Sequence, residues 1–354
     1  MDKKNLNKES KKINPFWTFL SELDLKKDIN EIMINGAQKI FVEQKGKFIQ
    51  LKTDFSKSDL YDFIDDVAKF NKKECHADCP ILDGVLPNGN RINIIIEPVA
   101  YGNPAITIRK YVARNLSLQS RPNIFGIGEK WAQFLQAIVK GRFNCLVSGG
   151  TSVGKTTFLN LLLSEIHLTE RIVVIEDTRE LSLNVPNVVR LESVQLSNRK
   201  SLVSTRELVK NSLRMRPDRI ILGEVRGDEA IDLLQAMNTG HEGSLSSIHA
   251  NSTREGLLRL ETLCLMSGHE IPMSAIRSQI ASAMDYIIHL KRTNKGERYI
   301  SVIREITGME GETIISQDIA VSDEGTLKWS GHTPEKMSDL IEKGSLPNNF
   351  FEKL

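Results

Sequence analysis

Residues 144–166 settle one corner of the fold before anything else is known of the chain. Asn144-Cys145-Leu146-Val147-Ser148 is an apolar, strand-like run, and Gly149-Gly150-Thr151-Ser152-Val153-Gly154-Lys155-Thr156-Thr157 follows it. From Thr157 to Ile166 the apolar residues recur at helical spacing. Strand, glycine loop and helix is the context in which G-x-x-x-x-G-K-[ST] reads as a phosphate-binding loop. Gly149 and Gly154 let the backbone turn so that several N–H groups converge on phosphate oxygens. The start of the following helix adds its partial positive charge. Lys155 is placed to reach the β- and γ-phosphates, and the Thr156 hydroxyl to meet a magnesium ion. The whole loop, Gly149, Gly150, Thr151, Ser152, Val153, Gly154, Lys155, Thr156 and Thr157, is therefore expected to cradle a nucleoside triphosphate with Mg2+.

A chain of 354 residues is too long for one core, so two domains are expected. Its hydrophobic fraction of 40% and charged fraction of 26% are those of a soluble globular protein. A formal net charge of +2 makes no strong electrostatic demand for nucleic acid or a membrane surface. No apolar run approaches the roughly 18 residues of a membrane span. Residues 1–14 are Lys-rich, lack the apolar segment of a secretory signal, and read as a disordered tail. Four cysteines in a chain of this length make no disulfide framework and suit a reducing cytoplasm. Cys75 and Cys79 are spaced by three residues with no second Cys or His pair nearby, which favours a packing role over a metal.

The pattern changes once along the chain. Residues 15–110 alternate short strands with an amphipathic lead-in bearing Phe16, Phe19, Leu20 and Leu23, and with one helix to about Lys72, for which Ser58 is the expected N-cap. This predicts a small α+β domain. Residues 111–127 are polar, with Pro122 and Gly126, and read as a linker. From 128 to 354 helices alternate with apolar strands at 144–148, 171–176, 188–192, 219–223 and 244–248, the pattern of an α/β nucleotide-binding sheet. Tyr286 to Val321 returns to β-like alternation, and Met337 to Lys343 is a short helix.

Parallel strands that carry charged residues at their C-terminal ends build sites at the sheet edge. The run 171–175 delivers Glu176 and Asp177, either of which could polarise water or support Mg2+. The run 219–223 delivers Glu224, the natural carboxylate for Mg2+ or its water, and Gly223 marks a place where something passes close to the backbone. His241 and His249 bracket the strand at 244–248, a pairing that suggests a sensor of the γ-phosphate.

Together GGTSVGKTT, IEDTREL, SLRMRPDRIILGEVRGDEA and LLQAMNTGHEGSLSSIHANS resemble the secretion-superfamily ATPases of type II and type IV secretion and of type IV and tight-adherence pili. In that family's terms they are the Walker A, Asp box, Walker B and His box. LPNGNRIN, ITIRK, QAMNTGH, RLETL, AIRSQIASAMD and QDI make the CpaF-like branch the nearest pattern, and the resemblance covers about residues 29–320. It departs from the family at Ser152-Val153, where Gly-Ser is frequent, and it lacks the paired-cysteine zinc motif of some type II relatives. The resemblance implies a RecA-like C-terminal domain behind a PAS-like N-terminal domain, with nucleotide between them. It assigns Glu176 as catalytic glutamate, Glu224 as Walker B acid, His249 as His-box histidine, and Arg91 and Arg109 as arginines that close on the triphosphate. It further implies a homohexameric, Mg2+-dependent ATPase on the cytoplasmic face of the inner membrane, held there peripherally by inner-membrane platform proteins and driving pilus assembly or retraction. Direct nucleic-acid binding is not expected. The alternatives are a DNA-stimulated translocase or DNA-transfer secretion ATPase, which predicts a basic, aromatic groove, and a nucleotide switch without turnover.

Overall fold

The computed structural model describes residues 14–26, 28–44, 47–110, 117–118, 124–195, 201–293 and 295–354. The expected N-terminal tail and most of the expected linker lie outside them. The described chain forms two compact units, one from residues 14–110 and one from residue 117 onward.

The first unit contains α1 (Pro15–Asp24), β1 (Ile29–Asn35), β2 (Ile40–Gln44), β3 (Lys47–Leu51), α2 (Lys57–Asn71), β4 (Ile81–Val85), β5 (Arg91–Ile95) and β6 (Ala105–Arg109). Its six strands lie in the order β3-β2-β1-β6-β5-β4, antiparallel throughout. Alternating residues such as Ile32, Ile34, Ile92, Ile94, Ile106 and Ile108 bury one face against Phe16, Leu20 and Leu23 of α1 and Leu60, Phe63 and Val67 of α2. The cap of helix α2 lies two residues before the expected Ser58. Ser56 accepts from Asp59 N–H while Asp59 accepts from Ser56 N–H, a reciprocal box that Ser58 has no partner to form. Strand β4 escaped the sequence reading because Asp83 and Gly84 interrupt its apolar pattern. It is held from outside, by the Asn71 amide bridging both the N–H and carbonyl of Val85 at 2.8 and 2.9 Å. Cys75 and Cys79 flank a tight turn in which His76 and Cys79 exchange backbone hydrogen bonds.

The second unit contains α3 (Glu129–Lys140), β7 (Cys145–Gly149), α4 (Lys155–Leu163), β8 (Ile172–Glu176), β9 (Val188–Glu192), β10 (Val194–Gln195), β11 (Ser201–Val203), α5 (Thr205–Ser212), β12 (Arg219–Val225), α6 (Glu229–Asn238), β13 (Leu245–His249), α7 (Thr253–Leu265), α8 (Met273–Ala283), β14 (Tyr286–Arg292), β15 (Arg298–Glu310), β16 (Thr313–Asp323), β17 (Thr326–Trp329) and α9 (Met337–Glu342). Its nine-stranded sheet runs β17-β16-β15-β14-β7-β13-β12-β8-β9. From β14 to β9 all neighbours are parallel, and β15 to β17 extend the sheet antiparallel. Residues 145–149 and 172–176 are buried on both faces, which is why these strands read as unbroken apolar runs. Cys145 and Val147 pack with α3 and α4, whereas Leu146 packs with α6, α7 and α8. Among the described residues no helix is long and apolar enough to cross a membrane.

The segment expected to end the linker is part of this core. Phe125 and Ile127 are buried, and Phe125 meets Phe158 of α4 edge-on at 5.4 Å. Gly126 has φ +68, and a Cβ there would lie 2.0 Å from the Gly325 carbonyl oxygen. Gly126→Ala therefore combines a left-handed backbone with a main-chain clash. It is expected to lower stability by roughly 2–3 kcal/mol, read as a reduced urea midpoint.

Candidate nucleotide-binding site

The parallel strands bring their C-terminal ends to one edge. Strand β7 ends at Gly149 directly opposite His249 of β13, and β12 and β8 carry Glu224 and Glu176 to the same edge. Between β7 and α4 the loop passes through left-handed backbone at Ser152 (φ 60) and Gly154 (φ 95), and Gly154 caps the helix that Lys155 begins. An alanine Cβ at Gly154 would also stand 3.0 Å from Arg298 Cδ and 3.1 Å from Phe125 Cζ. Thr151 is exposed, Val153 is buried under the loop, and Gly150, Thr156 and Thr157 are partly buried.

Lys155 Nζ donates to the carbonyls of Gly149 and Gly150 at 3.1 and 3.0 Å and stands 3.7 Å from Glu224 Oε1. Burial holds its pKa below the ordinary lysine range, with the Glu224 carboxylate opposing that shift. Glu224 is shared with a second cation. Arg226 Nε donates to Glu224 Oε2 at 2.6 Å, and Arg226 Nη1 donates to Asp177 Oδ2 at 3.0 Å. The acids after β8 and β12 are thus tied together across the mouth of the loop. Gly223 leaves room for its neighbour, since a Cβ there would lie 3.3 Å from Glu176 Cγ.

Glu176, the expected catalytic glutamate, stands at the end of β8. It is 7% exposed, and its Oε1 accepts the backbone N–H groups of Glu180 and Leu181, both at 2.8 Å. Burial raises its pKa against the lowering effect of those two donors. Asn160 of α4 reinforces the same turn, donating to the Glu180 carbonyl at 3.3 Å and accepting from Ser182 N–H at 2.7 Å. The carboxylate this turn presents to the loop belongs to Glu180, whose Oε2 accepts from the Thr156 hydroxyl at 3.1 Å. Glu180 was absent from the sequence-derived site. Two glutamates follow β8 four residues apart, and nothing in their spacing tells which one folds inward.

The two histidines also separate. His241 Nδ1 lies 3.1 Å from the Ala236 carbonyl and closes the end of α6, at the opposite end of β13 from the loop. His249 stands beside the loop, where Ala250 N–H donates to the Gly149 carbonyl at 3.3 Å. Arg91 and Arg109 belong to the first unit, where they are cross-strand partners on β5 and β6. For Mg2+, Thr156, Glu180 and Glu224 supply a hydroxyl and carboxylates, the hard oxygen donors that ion prefers.

A parallel sheet with this loop between β7 and α4, and acids at the ends of the two strands beyond β13, defines a P-loop protein of the α/β class. A family model described as "Type II/IV secretion system protein" matches residues 19–318, and the chain belongs to that family. It is similar to the conjugal transfer protein TrbB of Rhizobium radiobacter, at 33% identity covering 79% of this chain and 84% of the relative. It is 32% identical to the type IV secretion system protein PtlH of Bordetella pertussis, covering 75% and 86% respectively. Among solved structures the fold matches the pilus retraction motor PilT with bound ADP, at a TM-score of 0.60 and 18% identity over 85% of this chain and 84% of the other. It also matches the ATPase DotB of Legionella pneumophila, at 0.59 and 20% over 84% and 82%.

Proposed function

We propose that this chain is an ATP-hydrolysing, Mg2+-dependent motor subunit that works as a ring of six at the cytoplasmic face of an inner membrane, docked on platform proteins of a secretion or pilus machine. The observation that carries this reading is the meeting of Lys155, Thr156, Glu180 and Glu224 at one sheet edge. A loop without carboxylates opposite its lysine and threonine suits binding; this one is equipped for turnover. The names of TrbB and PtlH favour a type IV secretion or conjugal transfer machine. The LPNGNRIN and ITIRK segments keep the tight-adherence pilus of the CpaF-like branch as the second reading.

In this mechanism Lys155 and the backbone N–H groups of residues 150–156 hold the phosphates. Thr156 and Glu224 hold Mg2+, directly or through water; the bound ion neutralises charge on the transferred phosphoryl group. Glu180 orients the attacking water and accepts its proton, and Glu176 and Asn160 keep Glu180 at that position. Arg226 steadies Glu224. His249 responds to the γ-phosphate beside the loop. Arg91 and Arg109 stabilise charge that develops during transfer.

Turnover measured with Mg2+, with a chelator and with added DNA tests this. Hydrolysis that requires Mg2+ and ignores DNA supports the secretion or pilus motor; hydrolysis that appears only with DNA establishes the translocase instead. Arg109→Ala is expected to lower kcat at least about tenfold while nucleotide affinity changes little. An equal loss of affinity with kcat preserved removes its role in the transition state.

A further inference from the structure

Asp177 follows Glu176 just beyond β8 and has no part in the chemistry above, yet its carboxylate is held on both oxygens. Oδ1 accepts from the Ser193 hydroxyl at 3.0 Å, between β9 and β10, and from the Thr205 hydroxyl at 3.2 Å, at the first residue of α5. Held from behind by these two, the carboxylate turns Oδ2 toward β12, where Arg226 Nη1 donates to it at 3.0 Å. The other edge of the same guanidinium lies on Glu224, with Nε and Nη2 at 2.6 and 2.5 Å from Oε2. The main chain of Arg226 is fixed separately, since Glu229 Oε1 accepts the N–H groups of Arg226 and Gly227 at 2.7 and 2.9 Å. Strand pairing does not do the same work. The β8–β12 ladder stops at Ile175 and Leu222, so Asp177 lies past it. The β12–β13 ladder is irregular between Leu222 and Val225, and Glu224 falls in that gap. The Arg226 guanidinium spans the two acids where backbone pairing is interrupted.

Glu224 carries two cations already, Lys155 at 3.7 Å from one oxygen and Arg226 on the other. It can serve Mg2+ only if Arg226 does not follow it. An arginine paired with a single carboxylate moves with that carboxylate, because charge-assisted hydrogen bonds are strong and directional. An arginine shared between two carboxylates is held in place by the second when the first turns away. The side chains of Arg226 and Asp177 are 58% and 43% exposed, and an ion pair so open to water adds little to folding stability. Its effect falls on where the guanidinium sits.

We propose that Asp177 is a positioning residue that anchors Arg226 and so leaves Glu224 available to Mg2+. This rests on the reading of the site as one for a Mg2+-bound nucleotide; it does not require hydrolysis. The test is Mg2+ titration of the full chain in the presence of a fluorescent ADP analogue, for the wild type, Asp177→Asn, Arg226→Gln, the double variant and Thr205→Val. Asp177→Asn should raise the Mg2+ concentration at half-maximal response about threefold to fivefold, while affinity for the analogue in a chelator changes by less than about 1.5-fold. In the Arg226→Gln chain the same substitution should shift the midpoint by less than about 1.5-fold, because the residue it acts through is gone. Thr205→Val leaves every charge in place and should shift the midpoint in the same direction by a smaller amount. An unchanged midpoint in Asp177→Asn overturns the proposal. So does a full shift that persists in the Arg226→Gln chain, because that marks the loss of a negative charge near the ion and not the loss of an anchor. If the wild-type chain binds the analogue without regard to Mg2+, the metal reading of the site falls and the anchor with it. If it binds with Mg2+ and hydrolyses no ATP, the anchor stands and the catalytic reading falls.

Discussion

Lys155→Ala is expected to cut ATP turnover at least about a hundredfold while leaving the chain folded. The loop's shape comes from its backbone, through the left-handed residues Ser152 and Gly154 and the helix that starts at Lys155. The ammonium contributes contacts to two loop carbonyls and a 3.7 Å approach to Glu224, none of which holds the fold together. Glu224 keeps a cationic neighbour in Arg226 when the lysine is removed, so no buried charge is left alone. What disappears is the cation that faces the β- and γ-phosphates. Circular dichroism and the thermal midpoint should match the wild type, and steady-state phosphate release should not. Wild-type turnover in this variant would remove the loop from the mechanism.

The second large effect separates two glutamates four residues apart. Glu180→Gln should lower kcat by about two to four orders of magnitude with a small change in KM, because the amide keeps the Thr156 contact but cannot accept a proton. Glu176→Gln should be far milder, since an amide oxygen still accepts the N–H groups of Glu180 and Leu181. Glu176→Ala should be severe for a different reason: it strands the buried Leu181 N–H, at about 1–3 kcal/mol, together with the part-buried Glu180 N–H, and frees the turn that aims Glu180. The pattern to look for is therefore gln-tolerant at 176 and gln-intolerant at 180. The reverse pattern would restore Glu176 as the base and reduce Glu180 to a partner of Thr156.

How far the chain could be read without coordinates varied with how local the cause was. Strand β7, the loop and α4 were legible because glycine, lysine and threonine have separate backbone and chemical reasons to stand where they do. The strands at 172–176 and 219–225 were legible from the apolar runs 172–175 and 220–222, the mark of burial on both faces. Their lateral order was not, because β13 inserts between β7 and β12 through contacts that no local pattern encodes. The site divided along the same line. Glu224 lies within an apolar strand run, directly after Gly223, so its position at the sheet edge was readable. Glu176 and Glu180 differ only in which side chain turns inward, and that is settled by Asn160 and by the space above Gly223, both distant in sequence. Phe125 was misread with the linker because a polar stretch hides one aromatic whose partner, Phe158, lies across the loop.

Single-turnover chemistry is the most direct measure of the central claim that this sheet edge breaks the β–γ bond. The chain is loaded with radiolabelled ATP and Mg2+ below its binding capacity, quenched at intervals, and the bound nucleotide is resolved. The account predicts that bound ATP becomes ADP and phosphate in the wild type and persists as ATP in Glu180→Gln. Bound ATP recovered intact from the folded wild-type chain over many hours would contradict it and make the protein a nucleotide-held switch.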